Sequence, residues 1–155
     1  MSKKLREYLR DQIVVFDIDG VLSVYEFGEL SHTADVWEEA FVSEHDNPYC
    51  GIAPLPALQE FVASMPSEHV YVCSVADDYE AQAKRNFVAR NYPSIPADHV
   101  FLVATKPGKL EVLTSLAAQH PAMRVAIVDD TVKTLDAIHA QDPSLLTVHV
   151  TSFFD

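Results

Sequence analysis

The chain has 155 residues, 48% of them hydrophobic and 22% charged, with a formal net charge of -12 at pH 7. These figures fit one globular domain over 1–155 with apolar residues enough for a core. The acidic balance excludes a protein that grips nucleic acid by bulk attraction to phosphate. A local lysine or metal ion can still reverse the field at a small anionic site.

The N-terminal stretch "MSKKLREYLRDQ" is charged throughout and has no apolar run of signal-peptide or membrane-spanning length. It predicts a short amphipathic helix over 2–11, with Leu5, Tyr8 and Leu9 on one face. A cytoplasmic protein without a membrane partner is expected. Cys50 and Cys73 form no Cys-x-x-Cys pair, and buried free thiols are expected.

The apolar run 13–16, "IVVF", predicts a buried strand, and Asp17 and Asp19 follow directly at its end. The segment 21–53 is too long for a strand-to-helix turn. Within it, "SVYEFGELS" suggests a hairpin turning at Phe27-Gly28, and "TADVWEEAFVSE" has a helical pattern. An insert after a strand's C-terminal end sits over the crevice where open α/β sheets bind ligands, so a flap or small cap is expected. Tyr25, Phe27 and Trp37 read as the small core of that insert, with stacking on a base or sugar the alternative.

Beyond the insert, helix and strand patterns alternate. Leu58, Phe61 and Val62 mark a helix before Pro66. Strands follow over 69–75, 99–104, 124–130 and 145–150, separated by helices over 77–90, from Lys109 to about 119, and over 131–140. Strands that are continuously apolar, set between helices, imply an α/β fold: a doubly wound, Rossmann-like parallel sheet of about five strands with helices on both faces.

Four polar signals sit at strand ends: Asp17 with Asp19, then Ser74, then Lys106 and Lys109, then Asp129 with Asp130. Each alone reads as a cap or a turn residue. In a parallel sheet all strand C-termini open on one edge, so the four converge. Clustered carboxylates repel, and a divalent cation makes them tolerable. Ligands that are all oxygen favour Mg2+. A cation, a hydroxyl and a lysine form a receptor for a phosphoryl group, which one carboxylate can attack while another serves as general acid. The glycines at 20, 28, 51 and 108 form no dinucleotide or Walker A loop. The seven histidines are spaced too widely for a helical zinc motif.

"VVFDIDGVLS" resembles the first motif of the haloacid dehalogenase (HAD) superfamily, a strand followed by Asp-x-Asp-Gly. "VYVCS" resembles the second motif and "VAIVDDT" the fourth, in the family's order over nearly the whole chain. The resemblance implies a magnesium-dependent phosphatase with Asp17 as nucleophile and Asp19 as general acid/base. Ser74 would hold phosphoryl oxygens. Asp129 would bind Mg2+ with Asp17 and the backbone carbonyl of Asp19, and Asp130 would be a second ligand or an orienting partner. Lys109 is favoured as the third-motif lysine, with Lys106 of "TKPG" as the alternative. The implied substrate is a small phosphorylated metabolite or nucleotide, a sugar phosphate and a polynucleotide end included. Two other readings stand beside it: a catalytically silent binding module of the same fold, and a receiver-like phosphoacceptor. A receiver's phosphorylated Asp follows its third strand, and "HVFLVATKPG" has none there.

Overall fold

A computed structural model describes residues 3–26 and 48–154. Five strands form one sheet: β1 (Ile13–Phe16), β2 (Val70–Val75), β3 (Val100–Val103), β4 (Val125–Asp129) and β5 (Leu146–His149). Their order is β3-β2-β1-β4-β5, and every neighbouring pair is parallel. Five α-helices accompany them among the described residues: α1 (Lys3–Arg10), α2 (Pro56–Ser64), α3 (Asp78–Asn91), α4 (Lys106–Gln119) and α5 (Val132–Gln141). This is the expected doubly wound α/β architecture.

The pleat of β1 explains why its sequence is apolar without interruption. Val14 and Phe16 enter one core with Leu9 of α1, Phe61 and Val62 of α2, and Phe87 and Val88 of α3. Ile13 and Val15 enter the other with Leu113 and Leu116 of α4 and Leu135 and Ile138 of α5. Each such side chain, fully buried, contributes about 1.5–3 kcal/mol, so both faces of the central strand must be hydrophobic. Phe153, in the 3-10 turn after β5, closes the first core at 5.0 Å from Phe61.

The chain runs outward from β1 through β2 to β3, then returns to lay β4 on the other side of β1. The reversal makes a crevice at the C-terminal ends of β1 and β4, where such sheets bind ligands. The order also differs from the 2-1-3-4-5 arrangement of flavodoxin-like sheets, receiver domains among them.

Several local expectations change. Helix α4 starts at Lys106, three residues before the expected Lys109, because Pro107 suits a first turn that follows the extended Thr105. Lys109 therefore lies one turn inside the helix. On α1 only Leu9 is buried, and Tyr8 is 42% exposed, so the apolar face is narrower than Leu5, Tyr8 and Leu9 together. Both cysteines are free, but Cys50 is exposed where a buried thiol was expected. No helix among the described residues is long and apolar enough to cross a membrane.

The hairpin turn at Phe27-Gly28, the helical pattern after it and Trp37 lie outside the described residues. The two ends of the insert are described, and they are zipped together. Val24 N–H donates to Ala53 O at 2.9 Å and Leu55 N–H to Leu22 O at 3.2 Å, around an antiparallel bridge between Ser23 and Pro54. The excursion thus leaves the sheet and returns to it at one place, beside the end of β1.

Candidate metal centre

The sheet itself places the first carboxylate. Asp17 follows β1 and stays in register with β4, its N–H donating to Val128 O at 3.1 Å. Its Oδ1 accepts the Ile18 N–H at 2.8 Å, which fixes the side chain against its own backbone. Asp129 is the last residue of β4, and its Oδ1 accepts the Thr131 N–H at 2.9 Å. Asp130 comes next, and its Oδ1 accepts the Thr131 hydroxyl at 3.2 Å. Oxygens of Asp17, Asp129 and Asp130 all lie within 4.8 Å of one another. Asp17 and Asp129 are buried, and Asp130 is partly so.

Gly20 shows why the strand ends in Asp-x-Asp-Gly. Its φ is +77°, the left-handed region that costs glycine least, and a Cβ there would collide with the Asp130 carboxylate. A glycine lets the chain turn away from β1 directly against the acidic group.

Lys109 reaches the centre from α4. Its Nζ lies 3.0 Å from Asp129 Oδ2 and 3.3 Å from Asp17 Oδ2, at 5% residue exposure. Burial alone would lower its pKa, but Asp17 and Asp129 outweigh that and hold it above the ordinary lysine value. Lys106, the alternative lysine, is exposed and lines an apolar groove between α4 and α5 with Lys133. Of the two, only Lys109 meets the carboxylates.

The electrostatics of the group ask for more positive charge. Burial is the largest influence on Asp17. Lys109 and the Ile18 N–H pull its pKa down, Asp129 and Asp19 push it up, and it stands at about 6. Asp130 is raised as well, by burial and then by Asp129. Three carboxylates and one lysine leave a formal charge of minus two, which a divalent cation matches. Donors that are all oxygen suit a hard cation such as Mg2+ or Ca2+.

No protein-family model, curated protein or solved structure matches the chain.

Chemistry at this edge therefore rests on the residues themselves, and a second cluster adjoins the first. Asp19 does not put its carboxylate into the acidic group. Its Oδ1 accepts the Tyr49 hydroxyl at 2.8 Å and its Oδ2 faces Lys84 Nζ at 2.9 Å. Burial and Asp19 together push the Tyr49 phenol well above its usual range, so it stays a neutral donor. Ser74, the expected phosphoryl ligand, sits at the end of β2 at 1% exposure, with Lys84 Nζ 3.4 Å from its Oγ. Lys84 also meets Glu80 Oε1 at 2.8 Å and Val75 O at 2.7 Å. Burial would lower the Lys84 pKa, and Asp19 and Glu80 more than reverse this.

Sequence reasoning missed Lys84, Glu80, Tyr49 and His149. A Glu and a Lys four apart on a helix usually mark a solvated face. The contrary signal was positional: 80, 84, 87 and 88 fall on one stripe, and Phe87 and Val88 are core. Tyr49 left no pattern, since it returns from the insert. His149, at the end of β5, has its Nε2 3.0 Å from Asp130 O while its Nδ1 accepts the Thr151 N–H at 3.2 Å. That acceptor role leaves the proton on Nε2, so His149 donates to Asp130 and pins its turn.

Proposed function

We propose that the chain is a magnesium-dependent phosphohydrolase of the HAD superfamily, cleaving small phosphate monoesters through an aspartyl-phosphate on Asp17. The observation that carries this reading is the sharing of the Lys109 ammonium by Asp17 and Asp129, 3.3 and 3.0 Å away, across the switch point of the sheet. A salt bridge serving stability alone needs one carboxylate, and this lysine lies in a cluster of three. The motif resemblance gives the cluster its chemistry, and the strand order speaks against the receiver-like alternative.

Asp17, Asp129, Asp130 and the Asp19 carbonyl would hold Mg2+, which when bound would neutralise the approaching phosphoryl oxygens. The rest falls to the chain. A carboxylate oxygen of Asp17 attacks phosphorus, and the bond to the leaving oxygen breaks as Asp19 supplies its proton. Water, deprotonated by Asp19, then attacks phosphorus and releases Asp17. Lys109 keeps Asp17 aimed and offsets phosphoryl charge, and the Ser74 hydroxyl donates to a phosphoryl oxygen.

The 21–53 insert acts in this reading as a small cap on a single domain. Support comes from its zipped base beside β1 and from Tyr49 of its returning arm, which donates to Asp19 at 2.8 Å. Small phosphorylated metabolites or nucleotides are the proposed substrates. The test is turnover of an aryl phosphate with Mg2+ by wild type and by Asp17→Asn, combined with acid-quench mass spectrometry for phosphate on Asp17. Wild-type turnover that survives intact in Asp17→Asn overturns the proposal.

A further inference from the structure

Lys84 belongs to none of the expected motifs and none of the acidic triad, and it is fully buried. A buried ammonium is costly and persists only where acceptors surround it. Three lie within 2.9 Å: Asp19 Oδ2, Glu80 Oε1 and Val75 O. An ammonium has three N–H donors, and these contacts can use all of them. The buried residues beside Lys84 on this stripe of α3 are Ala83, Phe87 and Val88, with Glu80 the one other charged group.

The charge reaches Asp19 at 2.9 Å, with Ser74 Oγ farther off at 3.4 Å. Asp19 lies in the loop between β1 and the insert, where backbone pairing alone would leave a carboxylate free to rotate. Lys84 fixes Oδ2 and the Tyr49 hydroxyl fixes Oδ1. Glu80 and the Val75 carbonyl in turn fix Lys84, so the aim of Asp19 is set from α3 and from the end of β2. We infer that Lys84, braced by Glu80, is the positioning residue that aims the Asp19 carboxylate; what Asp19 is aimed at rests on the phosphohydrolase reading above.

Lys84→Met keeps the stem and removes the charge. On an alkyl phosphate its kcat should fall by about 10²-fold, the cost of a reacting group set about 1 Å off, with KM nearly unchanged. On the same alkyl phosphate, adding Lys84→Met to Asp19→Asn should lower the residual turnover by no more than roughly twofold, because coupled residues do not add. Glu80→Gln should give a smaller loss with the same non-additivity. A loss in the Asp19→Asn background as large as in wild type overturns the inference. Where Lys84→Met fails to fold, Glu80→Gln completes the same cycle, and additivity there overturns it equally.

A crystal structure of Lys84→Met, or of Glu80→Gln, reads the same point without turnover. Asp19 should leave its place while Asp17, Asp129 and Lys109 keep theirs, and an unmoved Asp19 refutes the inference. If wild type hydrolyses no phosphate ester, the functional proposal falls, and the displacement of Asp19 still decides the role of Lys84.

Discussion

Removal of one carboxylate from the acidic group offers a test that needs no substrate. Unit charges 4.8 Å apart, the outer spacing of the Asp17, Asp129 and Asp130 oxygens, repel by about 3 kcal/mol at an effective dielectric of about 20. Lys109 relieves part of this, and a bound divalent cation would relieve more. At about 100 times its dissociation constant, Mg2+ bound only by the folded state adds roughly 2.7 kcal/mol. For a domain of this size the melting temperature should rise by about 5–10 °C. The assay is a thermal melt in MgCl2 against NaCl at matched ionic strength, since an acidic protein gains from screening alone. Asp129→Ala should lose the magnesium-specific part. Equal magnesium stabilisation of wild type and Asp129→Ala refutes the site.

The pH dependence has a definite sign. The folded protein raises Asp17 from 3.8 to about 6, so between those values it holds more protons than the unfolded chain. Its own contribution to stability is therefore lost as pH rises through that window, by an amount on the order of 3 kcal/mol. Mg2+ competes with the same proton, so its stabilising effect should be small at pH 5 and near full at pH 7 or above. A magnesium shift that stays constant from pH 5 to pH 7.5 would mean that the ion binds elsewhere.

Asp19→Asn should lose about 10²–10⁴-fold in kcat on alkyl phosphates and far less on activated aryl phosphates; equal losses would make Asp19 structural. Lys109→Ala should lower activity by orders of magnitude, whereas Lys106→Ala should change aryl phosphate turnover little, and the reverse pattern in steady-state kinetics would exchange their roles. Gly20→Ala should lower the melting temperature and abolish the magnesium shift, because the left-handed backbone and the Asp130 carboxylate both reject a Cβ. A Gly20→Ala protein with a wild-type magnesium response would show that the turn at Gly20 does not set the site.

The strands were legible as short apolar runs, most plainly β1, β2 and β4, which are buried along nearly their whole length, whereas the edge strands β3 and β5 are mostly half-buried. Asp17, Ser74, Asp129 and Asp130 were legible for a related reason, since a polar residue at the end of such a run stands out, whereas Lys109, one turn into α4, was singled out by the motif resemblance. Helix starts were less so. Lys106 and Pro107 look like loop until the extended Thr105 is seen to precede a first turn that proline fits. The Asp19 partners were hidden because contact across the crevice has no period. Glu80 and Lys84 carry the signature of a solvated pair, and the face on which they lie is settled by the packing of Phe87 against Tyr49, 6.1 Å apart.

That hidden half explains the spacing of the two aspartates. β1 lies between β4 on one side and β2 on the other, so a group at its end can be held from either. Asp17 is held from the β4 side, through Val128, Lys109 and the neighbouring Asp129. Asp19 is held from the β2 side, through Lys84 and its contacts with Val75 and Glu80. Each carboxylate has its own buried lysine, and each lysine has a second carboxylate to balance it. Asp19 still pushes the Asp17 pKa up, and Lys109 pulls it down. In the proposed reaction, separate lysines let Asp17 serve as nucleophile beside a cation while Asp19 handles the proton. Under the phosphohydrolase reading, the phosphorus atom belongs between the two.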